Sequence, residues 1–133
     1  RKQYFGRSAE LPPAELRRAG QDYVEAAAGD VAELVAFGRE IIAQPEPRDR
    51  FLPTLYAVAQ AAVKASKGKD PAAHELLAET YFINGQAERA ERYARLALRP
   101  EQSAEDHARR TAALERYLAV TKAAPATAPA NPK

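Results

Sequence analysis

The chain has 133 residues, 20 of them Lys or Arg and 18 Asp or Glu, giving a formal net charge of +2, and it contains no cysteine. That length suits a single domain with a real core. The missing thiols exclude a disulfide framework or a thiolate metal site, and the interspersed charges demand no nucleic-acid partner.

Alanine is abundant, glycine falls mostly at expected turns and β-branched runs are missing, so the composition points to an all-α protein. Residues 1–10 read as an irregular segment in which Tyr4 and Phe5 serve as packing anchors. The sequence opens on Arg1, which is compatible with a piece cut from a longer protein. If a membrane anchor precedes it, Arg1, Lys2 and Arg7 form a basic flank on the cytoplasmic side; otherwise the opening is only a cut site. The compartment, cytoplasmic or periplasmic, stays open. No apolar run within the sequence approaches the roughly 20 residues of a membrane span.

A single domain is expected over 11–122. The first helix enters at Leu11-Pro12-Pro13 and runs to about Ala28, with Leu16, Ala19, Tyr23 and Ala27 on one stripe. Gly29-Asp30 breaks it, and Asp30 with Glu33 makes a capping-box-like start for a second helix over about 31–43. That helix carries a broad apolar band, Leu34, Val35, Phe37, Ile41 and Ile42. Gly38 lies within the band, where it permits close approach of another helix. Residues 12–43 therefore read as a helical hairpin. Gln44-Pro45-Glu46-Pro47 is a stiff connector, because each proline biases its predecessor toward extended backbone. The third helix, from about 49–52 to Lys67, is apolar around most of its circumference and is expected at the centre, touched from several sides.

Residues 71–100 read PAAHELLAETYFINGQAERAERYARLALRP. Asp70-Pro71 is a strong helix start, and Asn84-Gly85 a strong stop, since glycine reaches the left-handed conformation without steric cost. Leu77, Ala78 and Tyr81 share a face of the first helix; Ala90, Tyr93, Ala94, Ala97 and Leu98 share one of the second. This stretch resembles a tetratricopeptide repeat. Leu77-Ala78 matches its large–small pair, Tyr81 its aromatic, Gly85 its turn glycine, Ala90 its small contact residue and Ala97-Leu98 its closing pair. The sequence departs from the family at His74, where a bulky apolar residue is usual, and at Pro100, two residues early. The resemblance implies a right-handed solenoid of helical hairpins, here about six helices. The last one, Ser103 to about Lys122, caps the stack through Thr111, Leu114, Tyr117 and Leu118. The Ala/Pro-rich tail 123–133 reads as flexible linker.

The resemblance also implies that the first helix of each pair lines a concave, partner-binding surface. Transferred to this chain, that places Ala72, Glu75, Glu79 and Phe82 on the groove side, suited to a basic or mixed apolar segment. Arg89, Arg92, Arg95 and Arg99 fall on one side of the fifth helix and form a candidate face for an acidic partner. Glu88–Arg92, Glu91–Arg95, Glu105–Arg109 and Asp106–Arg110 have the i, i+4 spacing of pairs that merely support exposed helices.

No catalytic constellation stands out. His74 with Glu75 and Glu79 lacks the second histidine of a zinc-protease helix, and Asp106-His107 has no nucleophile in a recognisable turn. Both histidines are expected to be partly exposed or hydrogen-bonded at the surface. Lys67-Gly68-Lys69 is not a phosphate loop. The expected function is thus a non-catalytic scaffold or adaptor without metal or cofactor, binding a peptide or helix of another protein, with self-association through exposed apolar ends a further expectation. Two alternatives remain: a regulatory or assembly domain of a membrane-anchored bacterial envelope or secretion protein, and a nucleic-acid-binding domain using the Arg89–Arg99 row.

Overall fold

The computed structural model describes residues 2–7, 10–44 and 48–123. Within them lie seven α-helices and no strand: α1 (Lys2–Arg7), α2 (Pro13–Ala26), α3 (Val31–Ile42), α4 (Leu52–Ala65), α5 (Pro71–Ile83), α6 (Ala87–Ala97) and α7 (Ala104–Ala123), with a 3-10 turn at Arg48–Phe51 leading into α4. The side chains of the expected basic flank (Arg1, Lys2, Arg7), the prolines of the connector and the tail beyond Ala123 lie outside the described residues.

The helix ends follow local chemistry. Asp30 accepts from the Glu33 N–H at 3.0 Å, Asp70 from the Ala72 N–H at 2.9 Å and Ser103 from the Asp106 N–H at 3.1 Å, each satisfying an otherwise orphaned donor. After α5, Gly85 takes φ +79°. The Gln86 N–H then reaches back to the Tyr81 carbonyl and the Gly85 N–H to that of Phe82, the paired bonds of a Schellman stop.

The first correction to the sequence expectation is α1, which is helical where irregular chain was expected. Six residues cannot hold a helix alone; aromatic packing does so here. The Tyr4 ring meets Phe37 edge-on at 5.2 Å and Phe51 at 5.9 Å, while Phe5 meets the same two rings at 5.8 Å each.

The second correction concerns pairing. Although α2 and α3 are consecutive, the close backbone approach of α2 is to α4. Gly20, on the buried row Leu16–Gly20–Val24, makes this possible: a Cβ there would lie 2.6 Å from Thr54 Cγ2 and 3.0 Å from Thr54 Cβ. Similarly, Gly38 seats α3 on α5, where a Cβ would lie 2.5 Å from Leu76 Cδ2. Thr54 is buried and β-branched, so it cannot swing aside as a leucine tip can. Gly20→Ala is therefore expected to cost about 1–3 kcal/mol in overpacking, more than the roughly 1 kcal/mol alanine gains in helix propensity. Gly6→Ala, with nothing near the new methyl, is the control and should be neutral or stabilising in urea melts. Equal stability of the two variants would contradict the close approach.

From α3 onward each helix packs on the next: α3 on α4, α4 on α5, α5 on α6 and α6 on α7, with α3 also reaching α5. Helix α4 is central, as its composition predicts. Thr54, Leu55, Val58, Ala59 and Ala62 are buried, and only Pro53, Gln60 and Lys64 are well exposed. Ala78 and Ala90 are both in the core, as are Leu77, Tyr81 and Ala97. At the junction of α5, α6 and α7, Ala78, Ala94, Ala97 and Ala113 line one small gap, so small side chains let the three helices close on one another.

Candidate binding groove

Helix spacing puts Glu75 and Glu79 one turn apart on α5, and Arg109 and Arg116 two turns apart on α7. Packing brings these two rows face to face. Arg109 donates to Glu75 through Nε at 2.9 Å and a terminal nitrogen at 3.1 Å, a two-point fork, while Arg110 Nε donates to the same carboxylate at 2.9 Å. Arg39 of α3 approaches it at 3.6 Å. One turn on, Arg116 binds Glu79 at 2.6 Å and the Tyr117 hydroxyl donates to the same oxygen. Arg116 also lies over the Phe82 and Tyr117 rings at 5.1 Å from each.

Between these elements runs an open groove of about 380 Å³, walled by Arg39 and Ile42 from α3, Glu75, Leu76 and Glu79 from α5, and Arg109, Ala112, Ala113, Arg116 and Tyr117 from α7. Burial would raise the Glu75 carboxyl, but the hydrogen bonds from Arg109 and Arg110 outweigh it and hold it below the ordinary carboxylate range. Burial, then the bond to Glu79, pushes the Tyr117 phenol far up, so it remains a donor.

Of the residues placed in the groove from the sequence, Glu75 and Glu79 line it. Ala72 and Phe82 do not; Phe82 packs on Tyr117, ring centroids 4.7 Å apart, beneath Arg116. The two carboxylates expected to suit a basic or mixed apolar segment are held by the chain's own arginines. The expected pairs Glu105–Arg109 and Asp106–Arg110 give way to Arg109–Asp106 at 2.8 Å and to the two arginines on Glu75. The sequence reading missed Arg39, Arg109, Arg110 and Arg116 as site residues. A signal was present: Arg110, Leu114 and Tyr117 are spaced i, i+4, i+7, and all three are buried, so an arginine sat within the apolar stripe.

The arginine row is largely engaged, and its last member does not share the helix as expected: α6 stops at Ala97, Leu98 turns extended, and Arg99 lies beyond the end. Arg89 lies 5.7 Å over the Tyr81 ring, Arg95 pairs with Glu91 at 3.0 Å and Arg99 reaches the Lys69 carbonyl at 3.4 Å. Arg92 is exposed. Tyr93, on the apolar face expected of α6, stacks on Tyr81 at 5.5 Å.

His74 also departs from expectation. It is buried, with Nδ1 unpartnered, and stacks at 6.3 Å on Tyr93. Burial first, and Arg99 second, lower its pKa from 6.5, with Asp70 opposing. The unfolded chain therefore takes up a proton as pH falls through about 6.5, while the folded chain does not. Stability is full above that pH and declines below it, levelling off beneath the folded value. His74→Leu, which puts an apolar side chain in this buried place, is expected to stabilise by about 1 kcal/mol at neutral pH by removing an unpaired polar atom. It should also abolish the loss between pH 6.5 and 5, measurable by urea melts across that range. An unchanged pH slope would refute this account.

Among the described residues there is no cluster of three metal-ligating side chains, and no helix is long and apolar enough to cross a membrane. Compared with models of known families, with curated proteins and with solved structures, the chain matches none of them.

Proposed function

We propose that the chain is a protein-interaction module with the hairpin-stack organisation of tetratricopeptide repeats, and that the α3/α5/α7 groove receives a segment of its partner. The observation that carries this reading is the origin of the groove's walls. They come from alternate helices, α3, α5 and α7, while α4 and α6 contribute nothing to them. Successive packing of each helix on the next, with α3 also reaching α5, is the arrangement in which every second helix shares a concave side. The pairs are then α3 with α4 and α5 with α6, α7 closes the end, and α2 leans across α4. No catalytic role is assigned.

A photo-crosslinking amino acid at position 112, exposed within the groove, provides the test, with position 60 on the exposed strip of α4 as control. Crosslinks to one partner from position 112 and none from position 60, in an extract of the source cells, are expected. Equal labelling from both, or labelling only from position 60, would place the contact elsewhere.

A further inference from the structure

We infer that the segment this groove accepts is acidic, carrying side-chain carboxylates that pair with Arg39 and Arg116. The inference rests on the groove reading above and reverses the basic ligand that α5 alone would suggest. Glu75 and Glu79 are already engaged by the chain's own groups. Both Glu75 oxygens take arginine donors, and one Glu79 oxygen takes both Arg116 and the Tyr117 hydroxyl. A basic ligand would have to displace guanidinium groups held at high effective concentration by the fold itself.

What the groove leaves accessible is positive. The side chains of Arg39, Arg109 and Arg116 are 54%, 46% and 51% exposed, against 21% for Glu75 and 27% for Glu79. Arg110 stands buried behind Glu75 and adds a further charge. Arg39 meets Glu75 only at 3.6 Å, and its planar fork can accept a carboxylate at two points. Leu76, Ile42 and Ala112 supply an apolar floor for small side chains between the ligand's acids. A nucleic acid suits this geometry less well. The groove's net positive charge is small, and its wall aromatic, Tyr117, is only 1% exposed and has no free face on which a base could stack.

The test uses the full chain and three fluorescein-labelled probes: a peptide of about twelve residues alternating Leu and Glu, the same peptide with Lys for Glu, and an oligothymidylate of similar length, each followed by anisotropy at low and raised salt. The Glu peptide alone should bind, and added salt should weaken it. Arg39→Gln and Arg116→Gln should each reduce its affinity by about tenfold, with melting temperatures close to the parent for Arg39→Gln. Ile42→Glu, which places an acid against the floor, should block binding. If the Lys peptide or the oligonucleotide binds instead, or if the Glu peptide binds with unchanged affinity in both arginine variants, the acidic assignment is wrong. If no probe binds, the acidic assignment also fails. The groove reading is judged separately, and falls if position 112 crosslinks nothing or no more than position 60 does.

Discussion

Glu75→Ala is expected to destabilise the protein by about 3 kcal/mol at neutral pH, because it strips the partner from a buried arginine. The Arg110 side chain is only 7% exposed and its Nε bonds to Glu75; without that carboxylate the guanidinium must move to water or stay unpaired. Arg109 loses its two-point fork at the same time, although at 46% exposure it can turn outward. The same carboxylate sets an acid limit on the fold. Its pKa is depressed in the folded state, so its contribution is complete above the unfolded value near 4.5 and is lost as pH falls through the lower, folded value. The difference between parent and variant should therefore be greatest at neutral pH and shrink as the pH falls from about 4.5 toward 3. Urea melts of both proteins across that range provide the measurement. A variant as stable as the parent at pH 7, or a difference that does not change with acid, would mean that the α5–α7 charges do not hold the helices together.

Phe37→Ala is expected to cost about 3–5 kcal/mol, the range for deleting a fully buried phenyl ring. Phe37 is 0% exposed and is ringed by Tyr23 at 4.5 Å, Tyr4 at 5.2 Å and Phe5 at 5.8 Å. Two of those rings belong to α1 and would keep only Phe51 of the two phenyl rings they share, so the damage should be uneven. Hydrogen exchange should show the α1 amides losing protection while α5 and α6 keep theirs at denaturant concentrations well below the midpoint. Uniform loss along the chain would mean that α1 is an integral part of the cooperative unit and not a docked one.

Much of the fold is a local matter, and local matters were legible. Asp30, Asp70, Ser103 and Gly85 act within a few residues of themselves, so helices α2 to α7 could be read to within a few residues of their ends. The composition of α4, apolar nearly all round, likewise required a central place. The helical spacing within 71–100 gave the buried set Leu77, Ala78, Tyr81, Ala90 and Ala97 because small and large side chains at that spacing describe one packed face.

Where one helix meets another could not be read in this way. Helix α1 exists because Phe37 and Phe51, more than thirty positions away, give Tyr4 and Phe5 something to rest on. Gly20 in an otherwise ordinary stripe does not say that Thr54 sits above it. Glu75 and Arg110 lie 35 residues apart, and an i, i+4 rule assigns each arginine to its nearest acid because it cannot see across the interface. The sequence alone determined helices α2 to α7, roughly where they end and most of the faces they bury, since these depend on backbone geometry and neighbouring side chains. Which charges pair, and therefore the sign of the surface a partner meets, was decided by the docking of α7 on α5, because Coulomb energy depends on distance in space and not along the chain.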